Sequence, residues 1–221
     1  MGYRYVQVQT DGHALAQAAR REALLAAGVD AFDVTMLAGE EALFDRLAGV
    51  PGAFRPTVMA LQALARAGRV SQVTVPLLRS NLRGLGAVVA MLTKLGVKRV
   101  QFGFPRPVEL RDGVMIDEVP RLEVAGAYLR QALALAARSE LAVTTEAVPF
   151  CHLPPEARGG GEAAQDWSRH RIDDLHVLHT SVAAARATQR PDAPAVPRMR
   201  RARRVPAHVG DVSRARGERR G

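Results

Sequence analysis

The sequence predicts an α/β fold built on a parallel β-sheet that is either open or curved into a barrel. Five β-prone segments alternate with amphipathic helical segments of about ten to twenty residues, and the connections between them are short. A chain of 221 residues with 48% hydrophobic content is long enough to bury one substantial core. This alternation favours right-handed βαβ units, which build parallel sheets in both architectures.

The predicted strands are short segments rich in β-branched and aromatic residues, and turn residues follow them. They are Tyr3–Gly12, Phe32–Leu37, Val70–Leu78, Val97–Phe104 and Leu141–Val148. Because Tyr3–Gly12 would begin the sheet, its other neighbours must come from downstream or have been lost upstream.

The predicted helices carry apolar residues at three- and four-residue spacing, and several end at a glycine. They are His13–Ala27, a short piece containing Glu40 and Asp45, Arg55–Ala67, a run from Leu82 to Leu95 behind an N-cap at Asn81, and Pro120 to about Arg138. A polar loop, Pro105–Val119, precedes the last of these.

Glu162 to about Ala185 is predicted to be one further amphipathic helix, with disorder from Gln189 onward. The predicted organisation is thus a domain of residues 1–153, a loop and helix of residues 154–188, and a basic tail of residues 189–221.

The net charge of +9 is concentrated at the C-terminal end of the sequence. Residues 186–221 contain 11 arginines and three acidic residues, and the rest of the chain is almost neutral. Such a tail, without aromatic residues for stacking, would bind nucleic acid nonspecifically and in a salt-dependent way. Nucleic-acid binding is therefore a less favoured interpretation, and out-of-frame translation of a GC-rich gene is another explanation of the tail.

Several function classes lack their sequence signals. The longest apolar stretch, Leu82–Val97, is interrupted by polar residues and is too short for a membrane span, and no signal peptide is recognisable, so a cytoplasmic location without membrane partners is expected. The single cysteine, Cys151, excludes an internal disulfide. The dinucleotide, P-loop, serine-hydrolase and zinc-protease motifs are absent.

Candidate binding residues cluster where the predicted strands end, because parallel sheets bind ligands beyond the carboxyl ends of their strands. These ends are Thr10–Gly12, Thr35–Gly39, Leu78–Asn81, Phe104–Arg106 and Glu146–Cys151. Their hydroxyls, carboxylates and arginines together suit a polar ligand that bears both charges, although for each residue taken singly an ordinary turn, cap or solvated charge is the favoured interpretation. A metal site of His170, His176 and His179 on the last predicted helix is conceivable, but solvent-facing histidines are favoured.

The order of several short motifs resembles the radical S-adenosylmethionine (radical SAM) enzymes over residues 2–153. The motifs are Thr10-Asp11-Gly12, Thr35 to Gly39, Asp45-Arg46, Gly49 to Gly52, Asn81, and Glu146 to Cys151. The resemblance implies a partial parallel (β/α) barrel of the TIM-barrel kind. It also implies a [4Fe–4S] cluster and SAM as cofactors, with radical chemistry on a small-molecule or peptide substrate.

The resemblance also assigns site residues. Thr35 and Asn81 would lie near the ribose and methionine portions of SAM, Arg79 near its carboxylate, and Phe104 near its adenine. Thr10 begins the turn that corresponds to the family's Thr-Asn-Gly. Asp11 and Thr35 stand where the family commonly has Asn and Ser.

The defining CxxxCxxC motif of the family, whose thiolates hold the cluster, is absent from this sequence. Cys151 alone is a weak candidate for a ligand of an auxiliary cluster. This chain by itself is therefore expected to bind neither cofactor stably, and to be inactive and truncated relative to the family, with a second polypeptide as one source of the missing strands. The alternatives are a noncatalytic α/β scaffold and the nonspecific nucleic-acid binder.

Overall fold

A computed structural model describes residues 4–105, 117–139, 141–157, 171–174 and 177–181. The chain divides into two compact units, Met1–Gly161 and Glu162–Gly221. The first unit contains a five-stranded sheet with its helices, and the second contains a two-stranded hairpin. The candidate site described below belongs to the first unit.

The first unit alternates strands and helices in the predicted order. Its strands are β1 Gln7–Thr10, β2 Ala31–Thr35, β3 Val70–Pro76, β4 Arg99–Gly103 and β5 Ala142–Glu146. Its α-helices are α1 Ala18–Ala26, α2 Glu41–Ala48, α3 Phe54–Arg66, α4 Leu85–Lys94 and α5 Leu122–Ala137. Short 3-10 helices occupy His13–Ala16, Leu82–Gly84, Phe150–His152 and Pro155–Ala157. The α/β class predicted from the periodicity is confirmed.

All five strands are parallel, and their order across the sheet is their order along the chain. A doubly wound sheet reverses this order at a switch point, and β1 to β5 contain no reversal. Right-handed crossovers that all advance in one direction place their helices on the same face and curve the sheet as in a (β/α) barrel. The unit is therefore a partial β/α barrel.

The hydrophobic core lies between one face of the sheet and the helices. The strand side chains on this face are completely buried: Phe32, Val34, Val73, Val75, Val100 and Phe102. Leu61 and Leu64 of α3, Val88 and Leu92 of α4, and Leu129 of α5 pack in the same cluster. Each such side chain contributes about 1.5–3 kcal/mol through burial. The alternating residues on the opposite face carry the polar side chains.

Two of the short motifs have structural roles in the turns. Gly12 has a φ of 78°, and a Cβ at this position would lie 3.1 Å from Cγ1 of Val34, so the turn after β1 requires glycine. Asp45 of α2 accepts hydrogen bonds from the backbone N–H groups of Gly52 (2.6 Å) and Phe54 (2.8 Å). These bonds satisfy donors that would otherwise be free at the start of α3.

The predicted helix His13–Ala27 is divided in two. A 3-10 turn, His13–Ala16, is separated from α1 by Gln17, which is extended with a ψ of 119°. The guanidinium of Arg21 donates to the carbonyl oxygens of Leu15 (2.5 Å) and Ala16 (2.9 Å), which stabilises the break. In α1, Leu24 and Leu25 are half-buried against the core, whereas Ala18 and Ala19 are exposed.

The predicted helix Glu162–Ala185 is wrong for the residues described within it. Arg171–Asp174 (β6) and Val177–Ser181 (β7) form an antiparallel pair. Ile172, Val177 and Thr180 are β-branched, which favours strands, whereas the helix prediction depended on the spacing of leucines and Trp167. The tail from Gln189 and most of the loop Pro105–Val119 lie outside the described residues.

Candidate functional site

The face of the sheet opposite the core is lined with polar residues, and we call it the polar face. Its defining residues are Asp33, Thr35, Gln72, Thr74, Gln101, Thr144 and Glu146. Parallel register places Asp33 beside Gln72, Thr74 beside Gln101, and Gln101 beside Thr144. Since side chains alternate along a strand, neighbours in register share a face. The polar face therefore extends over β2, β3, β4 and β5.

Side chains of the polar face form one continuous hydrogen-bonded network. Nε2 of Gln72 donates to Oδ2 of Asp33 (2.8 Å) and to Oε1 of Gln101 (2.5 Å). Nε2 of Gln101 donates to Oε2 of Glu146 (2.7 Å). Oγ1 of Thr74 donates to both oxygens of Asp33, at 2.9 and 3.0 Å.

The carboxylates at the two ends of this network, Asp33 and Glu146, fix the orientation of the amide groups of Gln72 and Gln101. Glu146 requires a donor, so Gln101 presents its N–H and turns its oxygen toward Gln72. Gln72 must then donate in both directions, because Asp33 also accepts only. Within the described part of the protein, Oε1 of Gln72 and Oε1 of Glu146 accept no hydrogen bond, so the polar face is rich in acceptors.

The polar face also carries negative charge. Asp33 is 4% exposed and Glu146 is half-buried, and within the described part of the chain neither is in ion-pair distance of a cation. Among the described residues, the donors to Asp33 are the neutral side chains of Gln72 and Thr74. A buried carboxylate without a counter-charge is costly, so a cation bound beside it would be favourable. Oγ1 of Thr144, beside Gln101, is buried and has no hydrogen-bond partner among the described residues. The arrangement suits a ligand group that is cationic and donates hydrogen bonds.

A second cluster lies where the loop after β3 meets the residues before α5. Both oxygens of Glu118 accept from Ser80: Oε2 from the backbone N–H (2.9 Å) and Oε1 from the hydroxyl (2.7 Å). The carbonyl oxygen of Glu118 accepts from the N–H of Arg79 (2.8 Å). Desolvation raises the pKa of Glu118, but the Ser80 hydrogen bonds and the positive charges of Arg79 and Arg46 outweigh it, so the pKa is lowered.

Of the residues that the sequence predicts for the site, Thr35 lies on the polar face. It is the last residue of β2, is half-buried, and lies in register with Thr74. Thr10 ends β1 in register with Val34, a residue of the core face, and its Oγ1 accepts from the N–H of Gly12 (3.0 Å). The two threonines therefore belong to opposite faces of the sheet.

Arg79, Asn81 and Phe104 follow the ends of β3 and β4 but differ in environment. Arg79 is exposed, whereas Asn81 is completely buried and bonded to backbone atoms. Phe104 is half-buried against the core, and its N–H donates to the carbonyl of Glu146 (2.9 Å). Cys151 is exposed in the 3-10 helix Phe150–His152.

Sequence reasoning missed Asp33, Gln72, Gln101 and Glu118, and named Glu146 only as part of a strand end. The signal was the two-residue spacing of polar residues in strand after strand, as in Gln72 and Thr74 of β3. In the described ranges no group of three or more His, Cys, Asp or Glu residues could hold a metal ion. Of the predicted trio His170, His176 and His179, the first two lie outside those ranges.

Comparisons with known proteins find no family and only a distant structural similarity. No protein-family model matches the chain, and no curated protein does. Among solved structures, the chain is similar to a protein from Anabaena variabilis described as a candidate sugar phosphate isomerase/epimerase, with 13% identity and a TM-score of 0.36. The match covers 69% of this chain and 57% of that one, so the chain spans little more than half of that protein's length. No helix in the described part of the chain is long and apolar enough to cross a membrane.

Proposed function

We propose that, in contrast to the expectation from the missing cluster motif, the polar face binds S-adenosylmethionine, as the strands of a radical SAM barrel would, and that this chain alone does not carry out the radical reaction. The observation that carries the proposal is the hydrogen-bonded chain from Asp33 to Glu146. It combines two carboxylates with unused acceptors and has no cation of its own within the described ranges. The radical SAM part of the proposal rests on the motif resemblance.

The charge pattern of SAM matches this surface. SAM has a sulfonium and an ammonium group, both positive, and one carboxylate. The positive groups complement Asp33 and Glu146, while the exposed guanidinium of Arg79 is available for the carboxylate. The hydroxyl of Thr35 is available for the ribose.

Two other predicted ligand residues have a smaller share in this proposal. The amide of Asn81 already makes hydrogen bonds to the backbone, so it shapes the loop that carries Arg79. Phe104 packs against the core, so only its exposed part is available to a ligand. Thr10 belongs to the opposite face, so we leave it out of the proposed contacts.

The test compares SAM with S-adenosylhomocysteine, which lacks the sulfonium charge, by isothermal titration calorimetry. We expect SAM to bind at least about tenfold more tightly, a difference of about 1.4 kcal/mol. Glu146→Gln should remove most of this preference, because it replaces a charged acceptor with a neutral one. The control Glu123→Gln changes an exposed carboxylate of α5 and should leave the preference intact.

Equal affinity for the two compounds, or equal effects of Glu146→Gln and Glu123→Gln, would refute the proposed recognition by charge. Failure of both compounds to bind would favour a noncatalytic α/β scaffold. The cytoplasmic location and a second polypeptide that supplies further strands stay predictions.

Nucleic-acid binding is the weaker candidate function. It would rest on the arginine-rich residues 189–221, which are not among the described residues. The polar face would repel phosphate through its two carboxylates. Binding through the tail should weaken steeply with added salt, as a fluorescence anisotropy titration would measure.

A further inference from the structure

We propose that the loop after β3 is a binding site for a carboxylate or phosphate group, and that Glu118 occupies this site as an internal plug. An incoming oxyanion would displace the Glu118 side chain. The inference does not depend on SAM as the ligand, because its hydrogen-bond donors are the backbone N–H and the hydroxyl of Ser80, and only Arg79 is shared with the proposed SAM contacts.

The donors around Glu118 are arranged as in an oxyanion site. The backbone N–H and the hydroxyl of Ser80 each donate to a different oxygen of the same carboxylate, at 2.9 and 2.7 Å. A backbone N–H beside a hydroxyl is a common pair of ligands for phosphate and carboxylate groups. The carboxylate of Glu118 therefore stands where a ligand's oxyanion would lie.

The loop holds these donors in place without help from the side chain of Glu118. Oδ1 of Asn81 accepts from the N–H of Leu78 (2.9 Å). Nδ2 of Asn81 donates to the carbonyls of Leu37 (2.8 Å) and Pro76 (2.7 Å). Since Asn81 is completely buried and follows Ser80 directly, it fixes the loop from the inside. The site is preorganised, which favours binding once the plug leaves.

The charge around the site exceeds what Glu118 neutralises. Arg79 precedes Ser80, and Arg46 of α2 is near enough for its charge to act on Glu118. Both guanidinium groups are exposed, and among the described residues neither is within ion-pair distance of an acid. The charges of Arg79 and Arg46 both favour an anion at the position of the Glu118 carboxylate, so the site also suits a phosphate group.

Glu118 can leave at small cost. It is half-buried, it precedes α5 rather than lying within it, and its neighbour Asp117 is exposed. Among the described residues, its carboxylate accepts hydrogen bonds from Ser80 only. If Glu118 instead stabilised the loop, removing its carboxylate would loosen the loop and weaken anion binding.

The test is an NMR titration of the ¹⁵N-labelled protein with inorganic phosphate and, separately, with acetate, at constant ionic strength adjusted with chloride. The readout is the chemical shift of the Ser80 amide. In Glu118→Gln we expect saturable shifts with a dissociation constant at least about tenfold lower than in the wild type. Glu118→Asp, which withdraws the carboxylate by one methylene, should give an intermediate gain.

The matched control is Asp117→Asn, which removes the same charge one residue away. It should bind both anions as the wild type does. An equal gain in Asp117→Asn, or a Ser80 amide that responds to neither anion in the folded Glu118 variants, would overturn the proposal. A response to phosphate alone supports the site with phosphate as its ligand class, and a response to acetate extends it to carboxylates.

Discussion

Asn81 has a structural role in the loop after β3, whereas the resemblance to radical SAM enzymes implies a ligand role for it. It is 0% exposed, and its amide makes three hydrogen bonds, to the N–H of Leu78 and to the carbonyls of Leu37 and Pro76. These bonds tie the ends of β2 and β3 together beneath the loop that carries Arg79. The family resemblance assigns the same residue to SAM.

Substituting Asn81 separates the two roles. Asn81→Ala leaves buried backbone groups without partners at about 1–3 kcal/mol each, so we expect the free energy of unfolding to fall by at least about 3 kcal/mol. Urea denaturation measures this, and the exposed Arg83→Ala should change it by less than about 0.5 kcal/mol. An unchanged urea midpoint together with lost SAM binding would instead establish a ligand role.

Glu118 should make stability depend on pH in the acidic range. Desolvation raises its pKa, but the Ser80 hydrogen bonds and the charges of Arg79 and Arg46 bring it below the ordinary 4.5. The folded state then binds fewer protons than the unfolded state, so the stabilisation is complete above the unfolded pKa and is lost as pH falls through the folded pKa. Between about pH 6 and about pH 3, the melting temperature should fall more in the wild type than in Glu118→Gln. Parallel melting curves would contradict this.

At the scale of elements, the connection between β2 and α2 depends on its contact with α4. A Cβ on Gly39 would lie 2.9 Å from the backbone N of Val88 and 3.0 Å from the backbone C of Ala87. The glycine at the end of the Thr35–Gly39 motif therefore allows a loop and a helix backbone to touch. Glycine is needed at position 39 because of this close packing and not because of an unusual φ.

Gly39→Ala should destabilise the protein by about 1–3 kcal/mol, because backbone atoms of α4 would have to move. The matched control is Gly84→Ala, since a Cβ there meets nothing within 4 Å and its φ is −91°. Thermal unfolding of the two variants checks the difference. If Gly39→Ala melts with the wild type, the packing argument for this motif fails.

The elements also show which parts of the fold the sequence could predict. Strands such as Val70–Pro76 were predictable, because β-branched residues and flanking turn residues act locally. The hydrogen bonds of Gln72 to Asp33 and Gln101 were not, because they depend on the register between three strands. The break at Gln17 was missed for a similar reason: Arg21 stabilises it through carbonyl contacts that no periodicity contains.

The edge strand β1 is an element with an unused side. Within the described residues it pairs with β2 only. Val6 accepts from the N–H groups of Asp30 and Ala31 on the β2 side. Because the backbone groups of a parallel strand alternate in direction, Gln7 and Gln9 direct theirs to the open edge. Such an edge invites pairing with another strand.

Gln9→Pro should reduce self-association with little loss of stability, because it removes an N–H that no strand uses. Val8→Pro removes an N–H of the β1–β2 ladder and should lower the melting temperature clearly. Sedimentation velocity compares association of the wild type and Gln9→Pro over a range of concentrations. A wild type that stays monomeric throughout would show that the edge attracts no partner.

At the scale of the whole molecule, the proposed SAM binding and the radical reaction have different structural requirements. The polar face is assembled from β2, β3, β4 and β5, so ligand binding requires only that this sheet folds. The radical reaction of the family requires in addition a cluster held by several thiolates. The 221 residues contain one, Cys151, which is exposed.

Binding without turnover is therefore the expected behaviour of this chain alone. After anaerobic reconstitution with iron and sulfide, we expect no [4Fe–4S] absorbance and no 5′-deoxyadenosine from SAM, because one thiolate cannot replace the usual set of cysteine ligands. Cys151→Ser should be indistinguishable from the wild type in both measurements. Cluster absorbance that appears in the wild type and disappears in Cys151→Ser would show that Cys151 is a ligand after all, with its partners supplied by other residue types or by further copies of the chain.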